Sequence, residues 1–233
     1  MPSGIPILLD LTGKRVVIVG GGTVAARKAK LALEVGAGAV RVVSLAFAEE
    51  LPLGLERING AYHPGHLDGA SLVFAATDVP AVNAAVVRDA RERKIWVNRA
   101  DVDEEEPGDF SIPAQFRPGA LGETPSVVVS VSCESPALSA RIRDGLAQRW
   151  DPRWSTMAAL MQQLRPMIRR SGWPISQRRS VLRDLASDAA MDALAGGTAA
   201  LLAWLALRHP QVSLDVLGRL SQAPAEPARE PGS

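Results

Sequence analysis

A single cysteine in 233 residues excludes an intramolecular disulfide. Cys133 therefore suits a reducing compartment, and a cytoplasmic location is expected. A formal net charge of only +1 gives no electrostatic case for a nucleic-acid or membrane-surface partner. The opening Met-Pro-Ser-Gly-Ile-Pro lacks the basic start and apolar run of a signal peptide. The longest apolar stretch, residues 193–207, is interrupted by Gly196-Gly197-Thr198. It is also shorter than the ~20 residues that cross a bilayer, so a buried helix is expected there. His63-Pro-Gly-His66 has no further Cys or His beside it and reads as a surface loop rather than a metal site.

What is present is enough for a real core. Hydrophobic residues make up 47% of the chain and charged residues 22%, which fits one large globular domain or two small ones. The most informative stretch is Lys14-Arg-Val-Val-Ile-Val-Gly-Gly-Gly-Thr-Val-Ala-Ala-Arg-Lys28. A β-branched run meets three glycines and passes directly into alanine-rich helical sequence: strand, tight turn, helix. Gly20 lets the strand turn sharply, Gly22 leaves room for a pyrophosphate, and Ala25 lets the helix pack on the strand. The phosphates would sit on unpaired N–H groups at the helix N-terminus, where the dipole favours negative charge.

Up to about residue 112, strand and helix signals alternate. Strands are expected at 15–19, 40–45, 61–62, 71–76 and 95–98, and helices at 24–35 and 81–93, the first closed by Gly36. This rhythm predicts an open, mostly parallel sheet, with ligands beyond the carboxyl ends of its strands. Further strands are expected at 110–114 and 126–131, then helices at 137–149, 156–169, 177–189 and 191–209, with Pro166 a kink.

Several residues fall at the expected ligand edge. Ser44 ends the second strand where dinucleotide sites often carry an acid; the absence of a basic cluster after it favours NAD over NADP, while the missing acid leaves both open. Thr77 or Asp78, after a buried strand, offers a bond to ribose, while Asp78 also suits the N-cap of the next helix. Asn98 and Asp101 follow the next buried strand. Asp101 stands where a general base would act, and position alone leaves a solvated loop carboxylate as the other reading. Arg141, Arg143, Arg149 and Arg153 are either a solvated face or an attraction for an acidic substrate. His209 ends an apolar helix, where it is expected to meet the last carbonyls. Cys133 is expected to be a buried structural thiol.

Five motifs then recur in order: Val-Gly-Gly-Gly-x-Val-Ala-x-Arg-Lys (19–28), Ala-Ala-Thr-Asp (75–78), Val-Asn-x-x-Asp (97–101), Asp-Phe-x-x-Pro-Ala (109–114) and Ser-Pro-Ala-Leu-x-x-Arg-Ile-Arg (135–143). This pattern resembles the precorrin-2 dehydrogenase family, also found as the N-terminal module of siroheme synthase, over residues 5 to about 150. The resemblance implies NAD-dependent oxidation of precorrin-2 to sirohydrochlorin; some members also insert ferrous iron to give siroheme. It implies homodimers. It implies an α/β chain: a Rossmann-type parallel sheet at 1–112, a small α+β dimerisation region at 113–150 and a C-terminal helical domain at 151–221. A disordered tail is expected at 222–233 from composition. The family's essential aspartate follows the Val-Asn strand, which places Asp101 in the catalytic role. Gly20, Gly22, Thr23 and Val24 match its pyrophosphate turn, and Ser44 matches a position that contacts the adenosine ribose. Ser132, Ser135 and Arg141 fall where the tetrapyrrole is bound.

Two stretches depart from the family pattern. The loop before Ser135 is usually Ser-x-Gly-Gly-x-Ser-Pro, and here Val131-Ser-Cys-Glu-Ser-Pro136 is about two residues shorter. The linker after Asp101 is unusually acidic at 103–106, and the methyltransferase half of the fused enzyme is not expected here. The shortened loop gives the alternative reading, a non-catalytic NAD(H)-sensing Rossmann module.

Overall fold

A computed structural model describes residues 4–101, 107–119 and 127–210. The described residues divide into two compact units, the first ending at Ile112 and the second beginning at Pro113.

In the first unit, five parallel strands run β1 (Arg15–Val19), β2 (Ala39–Ser44), β3 (Glu56–Asn59), β4 (Ala70–Ala75) and β5 (Trp96–Arg99). Their order across the sheet is β3-β2-β1-β4-β5, so the winding reverses between β1 and β4. Such a switch point opens a crevice at the carboxyl ends of the strands. Strand alternation divides the sheet's side chains between two cores. Val16, Ile18, Val40, Val42, Leu72 and Phe74 pack with Ala25, Ala26, Ala29 and Ala32 of helix α1 (Thr23–Glu34). Val17, Val19, Val73, Ala75 and Val97 pack with Val86, Val87 and Ala90 of helix α2 (Pro80–Glu92). The four alanines leave α1 a flat face, so it can lie close on the β-branched sheet. Gly36, at φ +79°, ends α1: its N–H bonds Leu33 O, and the Ala37 N–H bonds Ala32 O, a Schellman closure.

In the second unit, β6 (Ala114–Phe116) and β7 (Val129–Val131) pair antiparallel, and helix α3 (Pro136–Gln148) packs on both. Four helices follow: α4 (Pro152–Arg170), α5 (Ile175–Leu185), α6 (Asp188–Ala195) and α7 (Thr198–Arg208). They enclose a second type of core, rich in Leu and Met, around Leu160, Leu164, Leu185, Leu201 and Leu205. Among the described residues, no helix is long and apolar enough to cross a membrane.

Three element expectations are corrected. The strand expected at 61–62 is β3, Glu56–Asn59, an edge strand whose mostly exposed residues carry no apolar signal. The strand expected at 110–114 is β6, Ala114–Phe116; Phe110 and Ile112 instead pack onto the sheet core. The helix expected at 191–209 is two helices, because Gly197 at φ +92° stands between them. Pro166 lies within α4, which continues through it. The acidic stretch 103–106, residues 211–221 and the tail 222–233 lie outside the described residues.

Candidate active site

The turn between β1 and α1 is built by three glycines with three different duties. Gly20 has φ +122°, and a Cβ there would lie 2.2 Å from the Ala76 carbonyl oxygen, so it brings the β1 and β4 exits together. A Cβ on Gly21 would strike the Ala46 carbonyl oxygen and Ser44. Gly22 has nothing within 4 Å of a built Cβ: it faces open space. It is also the N-cap of α1, with no side-chain cap and no acidic residue in the first turn. The N–H groups of the first turn thus keep their bonding capacity for an anion. Thr23 lies exposed and Val24 half-buried beside Gly22, and Ser44 closes β2 on the other side of the turn.

The exits of β4 and β5 carry the polar chemistry. Asn83, wholly buried on α2, accepts at Oδ1 from the Thr77 N–H (3.1 Å) and from Thr77 Oγ1 (2.8 Å). Its Nδ2 donates to the Thr77 carbonyl at 3.0 Å. The loop after β4 is therefore locked from beneath. Asp78 is exposed, and the N-cap of α2 is Val79, with no side-chain cap bond. The expectation that Asp78 caps that helix is corrected: Thr77 and Asn83 organise the turn.

Asn98 is buried at the end of β5. Its Nδ2 donates to the Phe110 carbonyl at 2.8 Å, while its Oδ1 is buried without a partner. The Phe110 carbonyl requires an amide N–H, so the unpaired atom is the acceptor oxygen. An unmet buried acceptor costs about 1–3 kcal/mol, which makes it a place for a ligand's donor.

Asp101 sits just beyond β5. Arg99, with a side chain only 1% exposed, meets it through Nε–Oδ1 at 2.9 Å and Nη2–Oδ2 at 3.0 Å. The Arg99 hydrogen bonds, above all, hold the Asp101 carboxyl below the usual aspartate range, with burial opposing and Asn83 adding to the effect. The carboxylate is an anion at neutral pH.

Gly20, Gly22, Thr23, Val24, Ser44, Thr77, Asp78, Asn98 and Asp101 thus all lie at or just beyond the carboxyl ends of parallel strands in one unit. Ser132, Ser135 and Arg141 belong to the other unit. The Ser135 side chain caps α3 by accepting the Leu138 N–H, and Ser132 and Arg141 are exposed. Arg143 pairs with Asp144 and Arg153 with Asp151. Cys133 is half-buried rather than buried, with Sγ 3.0 Å from Ser139 Oγ. His209 bonds Asp184 through its ring, and its backbone N–H meets the Leu205 carbonyl at the end of α7. His63 and His66 cap each other in a short turn, and no group of three or more metal-ligating side chains occurs among the described residues. Sequence reasoning passed over Asn83 and Arg99. Each carried a signal: an amide on the apolar stripe that includes Val86, Val87 and Ala90, and a guanidinium ending a buried strand.

Comparison with known proteins fits this geometry. Residues 7–114 match a family described as "Putative NAD(P)-binding". Siroheme synthase from Azotobacter vinelandii is 35% identical over 182 residues, covering 75% of this chain and 37% of that protein. Siroheme synthase from Chromobacterium violaceum is 34% identical over 197 residues, covering 80% and 40%. The solved structure of SirC, precorrin-2 dehydrogenase, aligns with a TM-score of 0.64 at 24% identity, over 94% of this chain and all of that one. The class is therefore a Rossmann-type α/β protein with a nucleotide-binding fold. More particularly, the chain is similar over about three quarters of its length to siroheme synthases, whose family its motifs resemble. It spans about 37% of the length of the first siroheme synthases it matches.

Proposed function

We propose that this chain is an NAD-dependent precorrin-2 dehydrogenase, oxidising precorrin-2 to sirohydrochlorin on the way to siroheme. The observation that carries the reading is the sharing of one sheet edge by an uncapped helix N-terminus and a fixed carboxylate, Asp101. The open cradle at Gly22 fits a dinucleotide pyrophosphate. In this reading Gly22, Thr23 and Val24 present N–H groups to the pyrophosphate, with Gly20 shaping the turn. Ser44 contacts the adenosine ribose. The Thr77 hydroxyl is committed to Asn83, so exposed Asp78 is the nearer ribose partner. Asn98 Oδ1 accepts from the nicotinamide carboxamide.

NAD, when bound, supplies the two-electron acceptor. Precorrin-2 loses a hydride and a proton. Asp101 stabilises the positive charge that develops on the ring system and takes the proton, then releases it to water. Ser132, Ser135 and Arg141 face the carboxylates of the tetrapyrrole, the arginine in bidentate fashion. Residues 113–150 form the dimerisation region: Leu138, Ile142 and Leu146 of α3 are 51%, 41% and 45% exposed at four-residue intervals. An apolar stripe of this kind suits a second copy of the chain. The protein works in the cytoplasm, where Cys133 stays reduced. Ferrous iron is a substrate of a second reaction at the same carboxylate, which accepts the pyrrole protons the metal displaces.

The test mixes the protein with precorrin-2 and NAD, without metal, and follows NADH and sirohydrochlorin together. One sirohydrochlorin per NADH is expected. NAD binding with no turnover overturns the proposal and favours the sensing module. A second arm gives sirohydrochlorin and ferrous iron without NAD; no rate above the uncatalysed one removes the iron reaction.

A further inference from the structure

An arginine is an unusual choice for the last residue of a buried strand. Arg99 follows Val97 and Asn98, both buried, and its own side chain is 1% exposed. Burying a guanidinium carries a desolvation penalty that an aliphatic side chain of similar volume would not, so packing alone does not account for it. The fork geometry does. Nε and Nη2 reach the two different oxygens of Asp101 at 2.9 and 3.0 Å. Two parallel charge-assisted bonds fix the plane of a carboxylate as well as its position. Nη2 also lies 3.3 Å from the Pro80 carbonyl, in the first turn of α2. One turn on, Asn83 holds the Thr77 loop. The carboxylate and the loop after β4 are thus tied to the same short stretch of helix.

We propose that Arg99 is a positioning residue for the redox step: it holds both oxygens of Asp101 in one orientation at the sheet edge. This rests on the dehydrogenase reading above. Arg99 acts through Asp101 and touches neither substrate nor cofactor. A carboxylate free to rotate would meet the departing proton only part of the time, and misplacement near 1 Å can lower a rate about 10²-fold.

The test uses the full chain with Arg99→Met and Arg99→Lys. Turnover at neutral pH is expected to fall about 10²-fold in Arg99→Met, with NAD affinity and the KM for precorrin-2 within about twofold. Arg99→Lys should recover part of the rate, since it restores the charge without the fork. Independently of activity, the ¹³C carboxyl resonance of Asp101 should titrate at higher pH in Arg99→Met than in the wild type. A purely structural Arg99 would lower thermal stability and move that titration, but leave kcat and KM of the folded variant at the wild-type values. Wild-type kcat in folded Arg99→Met overturns the proposal, whatever the Asp101 titration does. Failure of the dehydrogenase reading looks different: the wild type itself forms no sirohydrochlorin. The titration then decides the Arg99–Asp101 contact alone, a shift supporting it and no shift overturning it.

Discussion

The two units bury their polar residues for different ends. In the first unit, the buried polar side chains among the described residues are Asn83, Asn98 and Arg99, and all three lie around the exits of β4 and β5. In the second unit they are Ser139 and His209. Ser139 accepts the Cys133 N–H at 3.0 Å, and His209 joins Arg208 on Asp184. One set converges on an open edge and leaves an acceptor unpaired. The other closes a loop and ties helix ends together. Polarity buried at the end of a parallel sheet is poised for a ligand; polarity buried between helices completes the fold.

Substitutions can break that contrast. The largest effect is expected from Asp101→Ala, which should cut turnover by about 10²–10⁴-fold while leaving NAD affinity within about twofold. Steady-state kinetics beside a binding titration checks both. In the helical core, Leu164→Ala should lower stability by about 2–5 kcal/mol, read by urea unfolding, with NAD affinity intact. A large loss of NAD binding there would erase the contrast between the units.

The glycines sharpen it further. Gly20→Ala places a Cβ against the Ala76 carbonyl at a φ of +122°. A destabilisation of at least about 1–3 kcal/mol is expected, with loss of NAD binding. Gly22→Ala meets no atom within 4 Å, so its thermal midpoint should hold while NAD affinity falls about tenfold, a 1.4 kcal/mol effect. Equal damage to stability from both would mean that Gly22 serves only the fold.

The smallest effect concerns pH. The Arg208 hydrogen bond, first, lowers the Asp184 carboxyl below its ordinary value, with His209 adding to it. The folded-state value therefore lies beneath the unfolded one. This carboxylate's contribution is complete above about pH 4 and is lost as pH falls toward the folded-state value. Asp184→Asn should flatten that acid limb in denaturant midpoints measured between about pH 5 and pH 2. An unchanged limb would remove Asp184 from the helix closure.

Much of this was legible in the residues. The Val-Gly-Gly-Gly turn predicts β1, α1 and the open N-terminus because steric rules at glycine act locally. The buried strands announce themselves by β-branched runs. The edge strand Glu56–Asn59 does not, since half-exposed edges need no apolar pattern. The break at Gly197 was visible as composition, but its left-handed φ was not. Arg99 and Asn83 are harder to read: each stands near its partner in sequence, Asp101 and Thr77, but the turns that bring the side chains together are not given by spacing.

The central claim is that the carboxyl edge of the five-stranded sheet is the redox site. Titrating NAD into ¹⁵N-labelled protein and following amide shifts tests it most directly. The account predicts the largest shifts at the Gly22, Thr23 and Val24 backbone amides and at the Asn98 side-chain amide. Shifts confined to residues of the helical unit, with that turn unmoved, would contradict it.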